Sequence, residues 1–200
     1  MKNIEISLVV PVYNEEENID NFLDTVSKVF KKINQTYEII FVLDPSSDET
    51  ENKILKNIKN NNNIKLILLS RKFGQPIATI AGIEHCNGNF CVIIDVDMQD
   101  PPEVIEEMYY KIKNEKLDVV YAERRTREGE TIIKKIVTNI GYKLINSLSD
   151  ISIPKNTGDF RIISKRIINE LKKFDEKEAF LRGLVSYIGF KQKSILFDRN

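Results

Sequence analysis

Two hydrophobic periods alternate along this chain of 200 residues. Short apolar runs bounded by turn residues predict strands at residues 4–10, 37–43, 64–69 and 90–95. Apolar residues recurring every three or four positions predict helices at residues 15–33, 49–59, 77–85 and 103–114, with Asn14 as the N-cap of the first. Such an alternation, with short connections, indicates an α/β fold with a doubly wound, mostly parallel sheet.

The second half of the chain continues the pattern with more helix than strand. It predicts strands at residues 118–122, 160–163 and 191–197 and helices at residues 132–148, 166–174 and 180–188. The apolar stripe of residues 132–148 is typical of a helix facing a core, and also of one resting on a membrane interface. No internal repeat, low-complexity linker or domain boundary is visible in the chain, so we expect one domain over residues 1–200.

Composition narrows the class of protein. Apolar residues make up 42% and charged residues 30% of the chain, which is typical of a globular protein. No apolar run is long enough to span a bilayer, and the N-terminus does not resemble a secretion signal, so we expect a soluble or peripheral protein on the cytoplasmic side. Cys86 and Cys91, with one His in the chain, suit neither a zinc site nor a disulfide framework, and we expect two reduced, buried thiols.

The formal net charge of zero conceals a division along the chain. Residues 1–123 carry 13 Lys/Arg and 21 Asp/Glu, a net of −8, and residues 124–200 carry 17 and 9, a net of +8. This division suits an acidic half that holds a metal and a basic half that faces an anion, and a solvated basic surface is the alternative. We expect no nucleic-acid partner.

Acidic residues follow the fourth predicted strand. Asp95 and Asp97 are two positions apart, so on an extended backbone they share a face. Two carboxylates that close repel each other unless a cation lies between them. Oxygen ligands open to substrate suit Mg²⁺ or Mn²⁺ carrying a diphosphate. A strand end with solvated acids is the alternative.

Further polar clusters follow the first and second strands, at residues 13–15 and 44–48. In doubly wound sheets, ligands bind beyond the carboxyl ends of the strands. The three clusters therefore predict a single site at that edge of the sheet. Residues 71–75, after the third strand, are assigned no chemistry.

Four motifs occur in the order typical of one enzyme family. They are VPVYNEEENI at residues 10–19, DVDMQDPP at 95–102, GDFR at 158–161 and FLRG at 180–183. The first two resemble family 2 glycosyltransferases, which have the GT-A fold. The last two are similar to the branch that transfers sugars to polyprenyl phosphates, namely dolichol-phosphate mannosyltransferases and bactoprenol glucosyltransferases.

This resemblance implies an inverting, metal-dependent transfer of a hexose from a nucleotide-sugar to a polyprenyl phosphate. The donor it favours is UDP-glucose or a relative over GDP-mannose, the cofactor is Mg²⁺ or Mn²⁺, and the place is the cytoplasmic face of the membrane. The branch usually continues into membrane helices, whereas this chain ends at Asn200. A truncated catalytic domain, a homo-oligomer and a separate membrane partner therefore stay open.

The resemblance also implies roles for individual residues. Asp95, Asp97 and Gln99, on one alternating face, would hold the metal. Pro11, Tyr13, Glu15, Asp44, Asp95 and Arg182 would bind the nucleotide-sugar. Arg124, Arg127 and Lys134 would bind the acceptor phosphate, and Asp97 and Asp159 would act at the reacting centre as catalytic residues. The alternatives are helix-end electrostatics for Glu15, capping for Asp44 and Asp159, and surface charge for Arg124, Arg127 and Lys134. For Arg182 the alternative is an ion pair that holds its loop to an acid.

Three positions depart from the family pattern. The family usually has Asp-Asp-Gly-Ser where residues 43–46 of this chain read Leu-Asp-Pro-Ser, so Leu43 replaces the first Asp and Pro45 replaces the Gly. Ala179 stands where the branch often has Arg. Two rival hypotheses follow. One is a family 2 transferase acting on a saccharide acceptor, and the other is a catalytically silent module that binds a nucleotide-sugar.

Overall fold

The structure is a computed structural model that describes residues 3–125, 157–174 and 181–198. The predicted helix at residues 132–148 lies outside these ranges, as do Arg127, Lys134 and Ala179. The elements below are numbered within the described residues.

Seven strands of the described residues form one mixed sheet. The strands are β1 (Ile6–Val12), β2 (Tyr37–Leu43), β3 (Ile64–Leu68), β4 (Phe90–Ile93), β5 (Val119–Arg124), β6 (Thr157–Ser164) and β7 (Gln192–Phe197). Their order is β3-β2-β1-β4-β6-β5-β7. Only β6 runs antiparallel to its neighbours, β4 and β5. The predicted mostly parallel sheet is confirmed.

Helices cover both faces of this sheet. They are α1 (Ile19–Ile33), α2 (Thr50–Asn60), α3 (Gln75–Glu84), α4 (Val104–Asn114), α5 (Lys165–Leu171) and α6 (Leu181–Ile188). Buried side chains of α1, α2 and α4 form one core with the sheet, and those of α3, α5 and α6 form a second core on the opposite face. The sheet is therefore doubly wound, as the alternating periods predict.

The first strand and helix differ from the prediction at their adjoining ends. Strand β1 continues through Pro11 to Val12. Val9 O accepts a hydrogen bond from Ile94 N on the β4 side, and Pro11, two residues on, faces the same side without an N–H to donate. The ladder with β4 has ended there, so the proline is tolerated. Helix α1 begins at Ile19 rather than residue 15, because residues 13–18 form the turn that builds the site described below.

Helix α3 packs unusually closely on β1. A Cβ on Gly82 would lie 2.3 Å from Val9 Cγ1, so only glycine permits this approach. Cys86, just after this helix, and Cys91, on β4, are buried free thiols, as predicted. Their Sγ atoms are 3.3 Å apart. Among the described helices, none is both long and apolar enough to cross a membrane.

Candidate active site

A cavity of about 230 Å³ opens where the carboxyl ends of β2, β1 and β4 lie side by side. It is lined by Pro11, Val12, Tyr13, Glu15, Asp44, Gln75, Ala78, Asp95, Val96 and Asp97. Six of these are residues predicted from the sequence: Pro11, Tyr13, Glu15, Asp44, Asp95 and Asp97. The polar clusters after three separate strands thus meet in one place, as expected from the sheet topology.

The turn after β1 is held by the turn after β2. Asn14 has a left-handed backbone, with φ of 53°, and its Oδ1 accepts a hydrogen bond from Ser47 N at 2.9 Å. Glu15 N donates to Thr50 Oγ1 at 2.8 Å. The prediction that Asn14 caps helix α1 is therefore wrong, because its side chain bridges two loops instead. Because Asn14 lies between Tyr13 and Glu15, these contacts fix the backbone that carries both site residues.

Asp44 is buried at the end of β2, and its carboxylate binds the loop that follows β3. Phe73 N donates to Asp44 Oδ1 at 2.9 Å, and Gly74 N donates to Asp44 Oδ2 at 2.8 Å. The alternative that Asp44 caps helix α2 is wrong, since Asp48 accepts the hydrogen bonds from Thr50 at that helix start. Asp44 retains lone pairs toward the cavity, because each carboxylate oxygen can accept more than one bond.

The loop after β3 contributes more to the site than the sequence suggested. Lys72 Nζ lies 3.5 Å from the centroid of the Tyr13 ring, a cation–π contact that covers one face of the ring. Gln75, at the start of α3, lines the cavity and donates from Nε2 to Asp95 Oδ1 at 2.6 Å. Sequence reasoning missed both side chains. The signal for them was position alone: residues 71–75 follow a parallel strand whose carboxyl end faces the site.

Asp95 lies in the most acidic part of the cavity. Burial, together with the charges of Asp97, Asp159, Asp100 and Glu15, raises the pKa of Asp95 from 3.8 to about 7. A carboxylate surrounded by four others is stabilised in its charged form by a cation. The electrostatics of the cavity therefore favour a cation beside Asp95.

Asp95 and Asp97 both line the cavity, as predicted, but not because they share one face of an extended strand. Strand β4 ends at Ile93, and the two acids lie on the turn beyond it. Met98 has φ of 60°, and Gln99 N donates to Asp97 Oδ1 at 3.1 Å, which closes this turn. The argument from an extended strand is thus wrong. Gln99, predicted on the same alternating face, is exposed and does not line the cavity, and its metal role stays a prediction.

Asp159 approaches the cavity from the antiparallel strand β6. The last pair between β4 and β6 is Ile93 with Arg161, Asp159 lies two residues beyond that pair on β6, and its charge acts on Asp95. Arg161 is buried, and it donates from Nη2 to Gly158 O at 3.0 Å and from Nε to Asp159 O at 3.2 Å. The arginine thereby fixes the backbone on which the Asp159 carboxylate stands.

Arg124, at the end of β5, lies at the same edge of the sheet. Its Nη2 is 3.4 Å from Asp100 Oδ1, on the turn that also carries Asp95 and Asp97. Arg124 Nε is buried and has no hydrogen-bond partner among the described residues. The predicted acceptor arginine is thus linked to the acidic turn. Of the other predicted residues, Arg182 lies in the first turn of α6, and its side chain is outside the described part of the chain.

The residues present fit a divalent metal that is held in part by protein carboxylates. Within residues 3–125, 157–174 and 181–198, no group of three His, Cys, Asp or Glu side chains forms a ready-made metal site. Asp95 and Asp97 supply hard oxygen ligands in a strongly acidic cavity. Mg²⁺ commonly binds one or two carboxylates together with substrate phosphates, and this cavity offers the two carboxylates.

The fold and the acidic cavity at the strand ends define a glycosyltransferase of the GT-A class. More particularly, the chain belongs to glycosyl transferase family 2, whose model matches residues 7–172. The predictions of the fold, the family and the enzyme class are confirmed.

Three comparisons support this assignment. An uncharacterized glycosyltransferase of Synechocystis sp. is 42% identical over 98% of this chain and 61% of its own length. A prophage bactoprenol glucosyl transferase homolog of Escherichia coli is 35% identical over 98% of this chain and 64% of its own length. The chain thus spans less than two thirds of these curated relatives.

The third comparison is with a solved structure. The mannosyltransferase PcManGT from Pyrobaculum calidifontis, in complex with GDP-Man and Mn²⁺, superposes with a TM-score of 0.68. It is 15% identical, over 98% of this chain and 56% of its own. At that identity, the likeness is evidence for the fold.

Proposed function

We propose that this chain transfers a hexose, with inversion, from a nucleotide-sugar to a polyprenyl phosphate. The proposed donor is UDP-glucose or a relative, and the proposed cofactor is Mg²⁺ or Mn²⁺. The 35% identity to a bactoprenol glucosyl transferase homolog supports a glucosyl donor and a polyprenyl acceptor. Such an acceptor would place the protein peripherally at the cytoplasmic face of the membrane.

The observation that carries this proposal is the cavity bounded by Asp95 and Asp97, with Asp159 and Arg124 beyond them. Residues from the acidic half, 1–123, line the cavity, and β6 and the end of β5 from the basic half adjoin it. We propose that the donor binds in the first half and that the acceptor approaches from the second.

On the donor side, Tyr13 and Glu15 would contact the base and ribose. Asp44 would complete that wall, with its carboxylate already fixed by two backbone N–H groups. Asp95 and Asp97 would hold the metal, whose positive charge would offset the negative charge that develops on the leaving diphosphate. Arg182 is proposed as a further ligand of the donor phosphates, on the strength of the FLRG motif.

On the acceptor side, a polyprenyl phosphate is already an anion at neutral pH, so it needs orientation more than deprotonation. Arg124 would bind its phosphate through the exposed part of its guanidinium, with Asp100 holding Nη2. A phosphate oxygen would attack the anomeric carbon as the bond from that carbon to the diphosphate breaks. The electron pair leaves with the diphosphate, and attack from the opposite face inverts the centre. Asp159 would lie near that carbon.

A product analysis tests this function. The chain is incubated with undecaprenyl phosphate, Mg²⁺ or Mn²⁺ and a panel of UDP- and GDP-sugars, and the lipid fraction is measured by mass spectrometry. We expect one hexose to be added to the lipid phosphate with UDP-glucose or a close relative. With an α-linked donor, the anomeric proton of the product should show a β linkage by NMR.

Two other results would reject the proposal in different ways. Transfer to a water-soluble saccharide, with none to the lipid phosphate, would establish the family 2 transferase with a saccharide acceptor. Nucleotide-sugar binding without transfer to any acceptor would establish a silent binding module. The substitution of Leu43 and Pro45 for the family's acid and glycine motivates that last arm.

A further inference from the structure

The segment of residues 69–75, between β3 and α3, contacts the ends of three other strands. Strand β3 is at one edge of the sheet, yet the segment after it reaches β2, β1 and β4. Phe73 N and Gly74 N bind Asp44 after β2, Lys72 covers Tyr13 after β1, and Gln75 binds Asp95 after β4. One short segment therefore links the side of the cavity proposed for the base with the side proposed for the metal.

The contact between Gln75 and Asp95 has the chemistry of a ligand-orienting hydrogen bond. The Gln75 amide is neutral, so it donates to a carboxylate without adding a charge to a cavity that already holds Glu15, Asp95 and Asp97. At 2.6 Å it occupies Oδ1 of Asp95. An ionised carboxylate whose first oxygen is held in this way presents its second oxygen in a defined direction.

Gln75 is placed on a rigid support. It is the first residue of α3, and its carbonyl accepts a hydrogen bond from Thr79 Oγ1 at 2.8 Å. The same helix packs on β1 through Gly82, where there is no space for a side chain. The preceding Gly74 has φ of 87°, which turns the chain so that its N–H meets Asp44 while the next side chain meets Asp95. A residue held by the helix and the turn can fix its partner precisely.

We propose that Gln75 is a positioning residue for the metal-binding carboxylate of Asp95. In this role it orients the carboxylate for a divalent cation and couples that cation to the segment that holds Asp44. The inference rests on the proposed donor site and deepens it. Hydrogen-bond partners of metal ligands typically contribute about 10- to 100-fold to metal affinity.

The test compares Gln75→Met with wild type by direct binding. Methionine has a similar length and volume but no N–H to donate. Mn²⁺ affinity is measured from the loss of the free-ion EPR signal, in the presence of saturating UDP and without acceptor. Calorimetry gives the UDP affinity with EDTA. We expect at least about tenfold weaker Mn²⁺ binding in the variant, and less than a twofold change in metal-free UDP binding.

Gln192→Met is the matched control, because Gln192 Nε2 donates to Val185 O at the far edge of the sheet. It should bind Mn²⁺ as wild type does. Gln75→Asn, whose amide is one methylene short of Asp95, is the second variant and should lose affinity as Gln75→Met does.

Three results would overturn the inference. Wild-type Mn²⁺ affinity in both Gln75 variants would remove the positioning role and leave the proposed function intact. An equal loss of UDP affinity in EDTA would indicate a general support of the loop rather than of the metal ligand. If wild type itself binds no Mn²⁺ with UDP or GDP, the inference and the metal-dependent function fail together.

Discussion

Asp95 and Asp159 each lie two residues beyond the last paired residues of the antiparallel strands β4 and β6, which are Ile93 and Arg161. Asp159 is on β6 and Asp95 is on the turn that follows β4. The charge of Asp159 is one of the causes that raise the pKa of Asp95. Like charges that repel each other in this way destabilise the fold unless something compensates them, so this pair predicts a conflict between stability and function.

Asp95→Asn should therefore stabilise the metal-free protein at neutral pH. The pKa of Asp95 is about 7 in the folded protein and near 3.8 when unperturbed, so ionised Asp95 destabilises the fold above pH 7. That cost decreases as the pH falls below 7 and vanishes below about 3.8, where the carboxyl is protonated in both states. We expect a gain of about 2–4 kcal/mol at pH 8, measured by urea unfolding in EDTA.

Repeating the unfolding measurement at several pH values provides the control. The gain should diminish continuously between pH 7 and pH 4, since wild type then loses its unfavourable charge. A gain that is the same at pH 8 and pH 4 would mean that the substitution acts through packing rather than charge.

Metal binding should depend on pH in the opposite sense. A proton on Asp95 competes with a cation, so Mn²⁺ affinity should rise as the pH increases through the pKa of about 7. Calorimetric titration of Mn²⁺ with UDP at pH 6, 7 and 8 would measure this rise and the accompanying release of protons. Equal affinity at pH 6 and pH 8 would contradict a metal role for Asp95.

Asp97→Asn should abolish turnover while the fold stays intact. The substitution keeps the side-chain oxygen that accepts from Gln99 N, so the turn persists, but it removes a charged ligand from the proposed metal. We expect transfer to fall by at least about 100-fold, as losing a ligand costs no less than losing its hydrogen-bond partner, with an unchanged circular dichroism spectrum. Asp20→Asn, at an exposed position of α1, is the control. Near-normal activity with added Mn²⁺ would refute the metal assignment.

The part of this site visible in the sequence is the part set by strand ends. Tyr13, Glu15, Asp44, Asp95 and Asp97 were predicted to meet because parallel strands bring their carboxyl ends together, whereas Pro11 was predicted from the family resemblance. Such strands are buried in the sheet, and the pattern of apolar residues along the sequence predicts which segments are buried.

Local backbone geometry was not visible in the same way. The pattern extended β4 to Asp95, whereas Ile93 is its last residue and Met98 has a left-handed backbone. Hydrogen bonds determine those limits, and a hydropathy pattern does not contain them. Gln75 was missed for a related reason, since its role depends on a contact with a residue 20 positions away. Asn14 was misassigned because an Asn suits both a helix N-cap and a left-handed turn.

Gly74 and Gly82 predict two different effects of alanine. At Gly82, a Cβ would meet the buried Val9 side chain at 2.3 Å, and overpacking of this kind costs about 1–3 kcal/mol. At Gly74 there is space, with the nearest atom 3.9 Å away, but φ of 87° and ψ of 164° strain any other residue. Both variants should lower the urea midpoint. Gly74→Ala should also weaken UDP binding, because its N–H holds Asp44, whereas Gly82→Ala should leave that affinity within about twofold of wild type.

The acceptor assignment predicts that Arg124 and Lys134 act on one substrate only. Replacing both with Ala should raise the KM for undecaprenyl phosphate at least about tenfold, since charge-assisted hydrogen bonds contribute about 1.5–3 kcal/mol each. The KM for the nucleotide-sugar should change far less, because Arg124, the one of the two that the structure describes, does not line the donor cavity. Arg125→Ala is the control. The Arg125 side chain, next to Arg124 in the sequence, is exposed, and its Nε lies 3.9 Å from Asp198 Oδ1. Equal increases in both KM values would count against the acceptor role. If Arg125→Ala raised the KM for undecaprenyl phosphate as much as the double variant does, the effect would be general electrostatic attraction rather than binding of the phosphate.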